Sequence, residues 1–457
     1  MERRQKLTVR ELIILASMLF GMFFGAGNLI FPVYMGQLAG QNVWQASAGF
    51  IVTGVGLPLL GVAALGLSRS NSLMELSGKV GRRYGIFFTC ALTLTIGPFF
   101  AVPRCATVSF EVGVAPLMGE NLPGAALAVF SLVFFGAVLW FSLRPSGILT
   151  WIGKIINPVF LLFLGMLVAA ALISPLGSAA EIRPEGVYAE TPFLSGCLEG
   201  YNTMDALAAL HFGVVVVDVI RGLGVKDESA IAMNTVRAGI FSCALMALIY
   251  AAATLVGAQS RGEFPLFANG GTALAALSHH YFGRAGGIIL AVIVTMACLK
   301  TSIGLVTSCS ETFRAMFPKG PSYNFWAVGF SAAAFLIANT GLNTILSYSA
   351  PVLMFLYPLA ITLILLTLAG RFYENDRAVY AAVTVCTLPA AVLDFLRSLP
   401  GELKAAVGLE PLIGAAEKYV PFLDMGFAWV CPAVLGLVIG LAIHFYKKSR
   451  RKADLAE

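Results

Sequence analysis

Long apolar stretches separated by short polar breaks run through almost the whole chain. They are rich in Leu, Ile, Val, Phe and Ala and lack a regular alternation of apolar and polar positions, which favours helices over membrane-spanning strands. Most approach the roughly 20 apolar residues that a helix needs to cross a bilayer. The predicted spans are 11–37, 43–67, 85–113, 124–142, 148–173, 194–221, 230–257, 284–314, 323–341, 343–369, 378–397 and 425–446. The pattern therefore predicts an all-α integral membrane protein with about twelve transmembrane helices.

Composition agrees with this prediction. Hydrophobic residues make up 58% of the 457 residues and charged residues 12%, whereas a soluble domain carries roughly 25% charged residues. The longest hydrophilic stretches are short loops such as 68–85 and 174–193. We therefore expect residues 1–457 to form one membrane transport domain. The first apolar run is too long for the core of a signal peptide, so it is predicted to be retained as a helix.

The distribution of positive charge predicts the orientation. Most of the 30 Lys and Arg residues fall on one side of the membrane if the N-terminus is inside, with dense groups at 3–10, 69–83 and 447–452. Because cytoplasmic loops carry the excess of Lys and Arg, both termini are expected in the cytoplasm, as in a bacterial plasma (inner) membrane protein. The net charge of +6 then reflects topology and contact with the lipid bilayer, and no nucleic-acid partner is expected.

Several functional classes lack their sequence signals. All eight cysteines lie inside predicted helices without a CxxC pair, which argues against a disulfide framework or a zinc site. The chain has no GxxxxGK[ST] phosphate loop, no HExxH motif and no GxSxG elbow, so neither an ATP-driven pump nor an enzyme is expected. The ionisable residues are scattered and form no filter motif of a channel. The functional class that remains is a carrier driven by an ion gradient.

Two predicted helices are interrupted. The first has a break at 25–28, followed by Pro32, and the sixth has one across 199–205. Because five helices separate these breaks, the second unit must enter the membrane from the opposite side, as in inverted-repeat transporters with a site at the midplane. The predicted units are 11–173, 194–369 and two additional helices at 378–446. Alternatively, Gly25 and Gly27 only allow close helix packing.

Three motifs give the chain a specific resemblance. They are GAGNLIFP at 25–32, GPFFAVPR at 97–104 followed by SFE at 109–111, and GYNTMDAL at 200–207. Together they resemble the branched-chain amino acid:cation symporter family of the amino acid/polyamine/organocation superfamily, and the first is also similar to that of the neurotransmitter:sodium symporters.

This resemblance spans nearly the whole chain. It implies a LeuT-like five-plus-five inverted repeat with broken helices 1 and 6. It also implies uptake of leucine, isoleucine and valine with Na⁺ or H⁺ as coupling ion, without a cofactor or an obligate protein partner. The alternative is a carrier of another neutral amino acid or small solute.

The resemblance also implies a substrate site at the two breaks. The residues concerned are Gly25, Ala26 and Gly27, whose backbone would hold the substrate carboxylate, and Tyr201, Asn202 and Thr203, which would border its ammonium group and side chain. In related symporters, oxygen ligands at positions similar to Asn28, Thr203 and Asn234 bind the Na⁺ that contacts the substrate. Asn28 would otherwise cap the helix after the break.

Other ionisable residues lie inside predicted helices, where a charge needs a partner or a role. Asp205 adjoins the second break and is either a proton or cation site or a buried helix cap. His211 is either a satisfied core histidine or a proton relay. Arg104 and Glu111 are seven residues apart, too far for a simple pair along one helix, so each is expected to have another partner.

Lys300 lies in the middle of 297–304, a stretch that resembles the eighth helix of the sodium symporters. In those relatives this helix supplies hydroxyl ligands to a second Na⁺, and Lys300 would stand in place of one hydroxyl, with Thr301 and Ser302 as neighbours. A buried lysine is costly when charged. The hypothesis is that Lys300 weakens or replaces the second Na⁺ and shifts coupling toward H⁺; a snorkelling or carboxylate-paired lysine is the alternative.

Overall fold

The structure, a computed structural model, describes residues 7–68, 70, 72–119, 125–144, 148–225 and 227–453. These residues fold as helices joined by short connections. In chain order, the α-helices are α1 (Val9–Phe23), α2 (Ala26–Ala39), α3 (Val43–Ile51), α4 (Leu57–Ser68), α5 (Leu73–Gly78), α6 (Arg82–Leu94), α7 (Ala101–Ser109), α8 (Ala115–Met118), α9 (Ala126–Ser142), α10 (Ile148–Ile173), α11 (Pro192–Tyr201), α12 (Asp205–Gly222), α13 (Glu228–Ser260), α14 (Gly270–Met316), α15 (Tyr323–Ala338), α16 (Leu342–Ala369), α17 (Arg377–Ser398), α18 (Gly401–Val407), α19 (Glu410–Tyr419) and α20 (Val430–Ala453). Helical segments of π type join α3 to α4, α6 to α7 and α7 to α8.

The lengths of the helices match the predicted number of membrane crossings. Within the described residues, seven helices are long and apolar enough to cross a membrane: Gly27–Ser68, Arg82–Met118, Ser229–Ser260, Gly270–Met316, Leu342–Tyr373, Arg377–Ser398 and Val430–Arg451. Three shorter apolar helices are Ala126–Ser142, Pro158–Ile173 and Tyr323–Ala338. The span Gly27–Ser68 contains α2 together with α3 and α4, so the first predicted crossing corresponds to α1/α2 and the second to α3/α4. The interrupted pair α11/α12 corresponds to the sixth. The predicted all-α membrane fold is therefore confirmed.

Both predicted helix breaks are present. The first is at Phe24 and Gly25, which have extended backbone between α1 and α2. The second spans Asn202 to Met204, and Met204 has a left-handed backbone with φ 61° and ψ 10°. That conformation costs a residue other than glycine free energy of order 1 kcal/mol, so the surrounding packing must hold it.

Close backbone contacts hold the outer parts of the broken helices against their neighbours. A Cβ at Gly36 of α2 would lie 2.0 Å from the carbonyl oxygen of Thr254 on α13, and one at Gly257 would lie 2.1 Å from that of Val33. Similarly, a Cβ at Gly196 of α11 would lie 2.0 Å from the carbonyl oxygen of Ala46 on α3. Glycine is required at these positions because the backbones touch.

The eighth predicted crossing is part of a longer helix. α14 runs from Gly270 to Met316 but is kinked at Gly283, whose φ is 60°. Glycine reaches this left-handed region without the steric cost of a side chain. The predicted crossing at 284–314 begins directly after this kink, and an additional helical segment precedes it.

The two additional C-terminal helices pack on each other and, through α17, on α16. At one end of this pair, Asp376 caps α17 by accepting the Ala378 N–H at 2.9 Å. The other oxygen of Asp376 lies 2.9 Å from Nδ1 of buried His444 on α20. The Ala378 N–H and, next, the His444 ring hold the pKa of the Asp376 carboxyl below its ordinary value. A more exposed ion pair joins Lys448 to Glu374 at 2.6 Å.

Candidate functional site

A cavity of about 50 Å³ lies where the two helix breaks meet. The residues of the breaks that line it are Gly25, Gly27, Asn28, Thr203, Met204 and Asp205. The other lining residues are Met22, Phe23, Ile96, Ala101, Arg104, Cys105, Ala208, Phe212, Thr301 and Leu305, from α1, α12, α14 and the region around α7. The structure therefore brings six of the twelve predicted site residues into one place: Gly25, Gly27, Asn28, Thr203, Asp205 and Thr301.

Asn28 is the centre of a buried hydrogen-bond cluster. Its Oδ1 accepts the Gly25 N–H at 2.9 Å, and its Nδ2 donates to Oδ2 of Asp205 at 2.5 Å. The same Nδ2 contacts the hydroxyl of Tyr250, which lies 3.5 Å from the Asp205 carboxylate. Asn28 and Asp205 are 2% and 3% exposed, and Tyr250 is fully buried. Asn28 thus satisfies the backbone at the first break and also contacts the carboxylate at the second.

The second break is stabilised by its own side chains and by Arg104. The hydroxyl of Thr203 donates to the carbonyl of Gly200 at 2.9 Å and accepts the N–H of Asp205 at 3.3 Å. Arg104 donates from Nη1 to the carbonyl of Asn202 at 2.6 Å. This carbonyl is freed by the end of α11, and the guanidinium satisfies it inside the protein, as membrane-embedded irregular backbone requires.

Arg104 and Tyr250 are part of the site although the sequence did not assign them to it. Arg104 is 4% exposed, and its guanidinium carbon lies 5.1 Å from the centre of the Phe31 ring. The available signal was an arginine at membrane depth that ends the GPFFAVPR motif and had no partner on its own helix. Tyr250 gave no comparable signal, since a tyrosine in an apolar helix is ordinary.

Tyr201 and Asn202, two of the predicted substrate residues, do not line the cavity, and a third, Ala26, is described only by its backbone. Tyr201 is buried and stacks on Tyr357, with ring centroids 4.0 Å apart, and it does not line the cavity. Asn202 contributes its backbone carbonyl, which accepts from Arg104. Ala26 begins α2, but its side chain lies outside the described residues.

Asn234 is not brought to the cavity. Its Nδ2 donates to the carbonyl of Ala230 at 2.8 Å, and its Oδ1 accepts the N–H of Leu7 at 3.4 Å. Asn234 and Tyr250 lie on the same helix, where a rise of 1.5 Å per residue separates them by about 24 Å. In this arrangement Asn234 instead joins α13 to the segment before α1.

On α14, Thr301 rather than Lys300 faces the cavity. A Cβ at Gly25 would lie 3.8 Å from the Thr301 hydroxyl, which donates to the carbonyl of Ala297 at 3.1 Å. Lys300 is half-buried and Ser302 is fully buried, and neither lines the cavity. Successive residues of a helix point about 100° apart, so only one of the three can face the first break.

Next to the cavity, α12 and α14 are joined by a polar contact. His211 is buried, and its Nε2 lies 2.8 Å from the hydroxyl of Ser308. Its ring packs edge-on against Phe212, which lines the cavity. This geometry satisfies the histidine in the core, which was one of its two predicted interpretations.

The architecture is similar to that of solved transporters. A nucleobase-cation-symport-1 family transporter, Mhp1, in a closed conformation with bromovinylhydantoin bound, superposes with a TM-score of 0.61 at 16% identity, covering 96% of this chain and 93% of the other. MhsT in complex with L-phenylalanine superposes with a TM-score of 0.57 at 15% identity, covering 97% of this chain and 99% of the other. The predicted LeuT-like five-plus-five fold with two broken helices is confirmed.

Sequence comparison identifies the family. The protein-family model described as "Branched-chain amino acid transport protein" matches residues 8–447 of this chain. The branched-chain amino acid permease BrnQ of Lactobacillus delbrueckii subsp. lactis is 49% identical over 94% of this chain and 96% of its own length. BrnQ of Bacillus subtilis is 39% identical over 97% of this chain and 99% of its own length. BrnQ of Escherichia coli is 34% identical over 95% of this chain and 96% of its own length. This chain belongs to the branched-chain amino acid transport protein family, whose members are membrane transporters and not enzymes.

Proposed function

We propose that this chain imports leucine, isoleucine and valine by symport with a cation, through alternating access to the cavity between the two helix breaks. The observation that carries the proposal is the direct contact between Asn28 and Asp205 across that cavity. It joins the two interrupted helices at the place where inverted-repeat transporters bind their substrates and coupling ions. The relatives' names, branched-chain amino acid permease, support the choice of substrate.

The polar cluster at the second break is the proposed coupling site. Asp205 brings a carboxylate to membrane depth, where burial of an uncompensated charge costs several kcal/mol. Its hydrogen-bonding neighbours Asn28, Thr203 and Tyr250 are neutral, and the guanidinium of Arg104 lines the same cavity without forming an ion pair with it. A Na⁺, a proton or the ammonium group of the substrate could therefore balance its charge directly. Oxygen ligands such as the carboxylate and the Thr203 hydroxyl suit Na⁺, and a carboxylate is equally able to carry a proton.

A second cation position is proposed near the first break. Thr301 places a hydroxyl beside Gly25, so it takes the role that the sequence divided between Lys300, Thr301 and Ser302. Lys300, half-buried on the neighbouring face of α14, then acts on coupling only indirectly. We place the protein in a bacterial plasma membrane with both termini cytoplasmic, and assign its inverted repeats to 11–173 and 194–369.

The test is uptake of a labelled amino acid panel into proteoliposomes under separately imposed Na⁺ and H⁺ gradients. We expect accumulation of leucine, isoleucine and valine driven by at least one gradient, and acceleration of labelled leucine entry by unlabelled leucine inside. Gradient-driven accumulation of a different solute, with no response to these three, would overturn the substrate assignment. Leucine equilibration without accumulation under both gradients would overturn symport.

A further inference from the structure

Arg104 is a buried cation that forms no direct ion pair among the described residues, although the Asp205 carboxylate across the cavity acts on it electrostatically. Only 4% of the residue is exposed, and it lines the cavity. Its Nη1 donates to a neutral backbone carbonyl, that of Asn202, and its Nε is buried without a hydrogen-bond acceptor among the described residues. In the described part of the chain, no carboxylate forms an ion pair with Arg104. A buried charge of this kind is strongly unfavourable until an anion balances it.

The surroundings of Arg104 add further positive potential. α2 begins at Ala26 and α12 begins at Asp205, and the residues before them, Gly25 and Met204, both line the cavity. Each helix N-terminus carries roughly half a positive charge on its free N–H groups. Gly25 has no side chain to accept the first-turn N–H groups of α2, and within the described residues Asn28 accepts only the N–H of Gly25 itself. A guanidinium and a helix N-terminus thus face the same space, which is the chemistry of an anion site.

The opposite charge in the cavity is already engaged. The Oδ2 of Asp205 accepts from Asn28 at 2.5 Å and contacts the Tyr250 hydroxyl, so these neutral donors hold the carboxylate on the side of α13. The guanidinium of Arg104 instead lies against α2, where Nη2 is 2.9 Å from the position that a Cβ of Gly27 would occupy. The cavity therefore has a basic side and an acidic side.

From this separation we infer that the guanidinium of Arg104, together with the first-turn N–H groups of α2, binds the carboxylate of the transported amino acid. Asp205 then faces the ammonium group, directly or through the coupling cation. This inference rests on the proposed function and deepens it, because it names the residue that selects an α-carboxylate. Arginine suits the role since its planar fork matches a carboxylate.

The inference is tested by pairing a side-chain change with a matching change in the ligand. Equilibrium binding of leucine and of leucinamide, which keeps the ammonium group and side chain but has no carboxylate charge, is measured on the full chain in lipid nanodiscs. Wild type is compared with Arg104→Gln, Arg104→Lys and the control Arg144→Gln. Arg144 is exposed and packs over Trp140, 4.0 Å from its ring centre.

We expect Arg104→Gln to weaken leucine binding by roughly 10- to 100-fold, the usual effect of losing a hydrogen bond between charged groups. Leucinamide binding should change little, so the preference of wild type for leucine largely disappears. Arg104→Lys should retain part of that preference, because the charge remains without the planar fork. Arg144→Gln should bind both compounds as wild type does.

Equal weakening of leucine and leucinamide by Arg104→Gln would assign Arg104 a structural role and overturn the inference. If that variant does not fold, the lysine variant decides, because an unchanged leucine affinity and preference would also contradict carboxylate binding. A wild-type protein whose leucine binding requires chloride, tested by gluconate replacement, would identify the anion as a free ion instead. Failure of wild type to bind leucine, isoleucine or valine would overturn the proposed function itself.

Discussion

The side-chain amide of Asn28 donates to the carboxylate of Asp205 at 2.5 Å, so the first turn of α2 is joined to the first residue of α12. These residues are 177 positions apart in the sequence, and each lies in the first turn after the interruption of its own helix. A change in the charge of Asp205 would therefore act on the first break through its hydrogen bond with Asn28. This contact gives the two interrupted helices a direct means of coupled movement.

Replacing Asn28 by alanine should weaken cation-driven transport. The change removes one donor from a buried carboxylate, and a hydrogen bond to a charged group contributes about 1.5–3 kcal/mol. We expect the apparent affinity for the coupling cation to fall by about tenfold or more, with expression largely retained. The measurement is uptake as a function of Na⁺ concentration and of the pH gradient. Asn339→Ala, at an exposed position, is the control, and an unaltered cation dependence in Asn28→Ala would show that Asn28 is not a ligand.

Asp205→Asn should separate exchange from accumulation. The neutral amide keeps nearly the same shape and hydrogen-bonding positions but cannot take up a proton and binds Na⁺ less strongly. Counterflow of leucine should persist while gradient-driven accumulation falls at least tenfold. Asp218→Asn is a matched control because Asp218 lies on the same helix with 62% of its side chain exposed. Full accumulation by Asp205→Asn would exclude this carboxylate as the coupling site.

Alanine substitutions at Gly25 and Gly27 should have unequal effects. At Gly27 a Cβ would lie 2.9 Å from Nη2 of Arg104 and 3.0 Å from the Phe31 ring, so the guanidinium must move. At Gly25 the nearest atoms would be 3.7 Å away, an ordinary contact. We expect Gly27→Ala to weaken leucine binding by tenfold or more and Gly25→Ala by less than threefold. Binding curves of both purified variants test this, and equal effects would contradict the geometry.

The contact between Asp376 and His444 should make stability depend on pH in the acidic range. Because the pKa of the Asp376 carboxyl is lowered in the folded protein, its contribution is present above the unfolded-state pKa of about 3.9 and is lost as the pH falls through the folded-state value. Asp376→Ala should therefore destabilise the protein by about 1 kcal/mol at pH 7, and the difference from wild type should shrink below about pH 4.

Thermal unfolding of detergent-solubilised protein at pH 7 and pH 3.5 provides the measurement for Asp376→Ala. The control is Glu374→Gln, which removes the neighbouring exposed ion pair with Lys448. Exposed pairs contribute little to stability, so this variant should unfold close to wild type at both pH values. A difference between Asp376→Ala and wild type that is the same at both pH values would show that the titration of Asp376 does not contribute.

The sequence predicted the two breaks because their cause is local. Gly25 and Gly27 weaken a helix wherever they stand, and so does the polar run around Asn202, so their positions follow from residue types alone. The family resemblance then pointed to Asn28 and Thr203, and a carboxylate at membrane depth beside the second break pointed to Asp205. The structure brings these three together.

The contact partners of buried side chains, and the rotation of each helix about its axis, could not be predicted in the same way. Arg104 finds its acceptor on a segment about a hundred residues away, and nothing on its own helix indicates that contact. For Lys300, Thr301 and Ser302, an uncertainty of one residue rotates the helix by about 100° and exchanges which side chain faces the cavity. Asn234 was assigned by analogy with other families, and its depth along α13 depends on the length of the helix rather than on a local motif.

The glycine contacts between α2 and α13, and between α11 and α3, also limit how the molecule can move. Sliding α2 along α13 by one residue would drive the side chain of a neighbouring residue into a backbone carbonyl, because only Gly36 and Gly257 fit at the points of contact. We therefore expect α2 and α13 to move together as one rigid unit, and α11 and α3 to do the same. Under the proposed alternating access, the bending would take place at Phe24–Gly25 and at 202–204, so the hinges directly adjoin the residues proposed to bind the substrate.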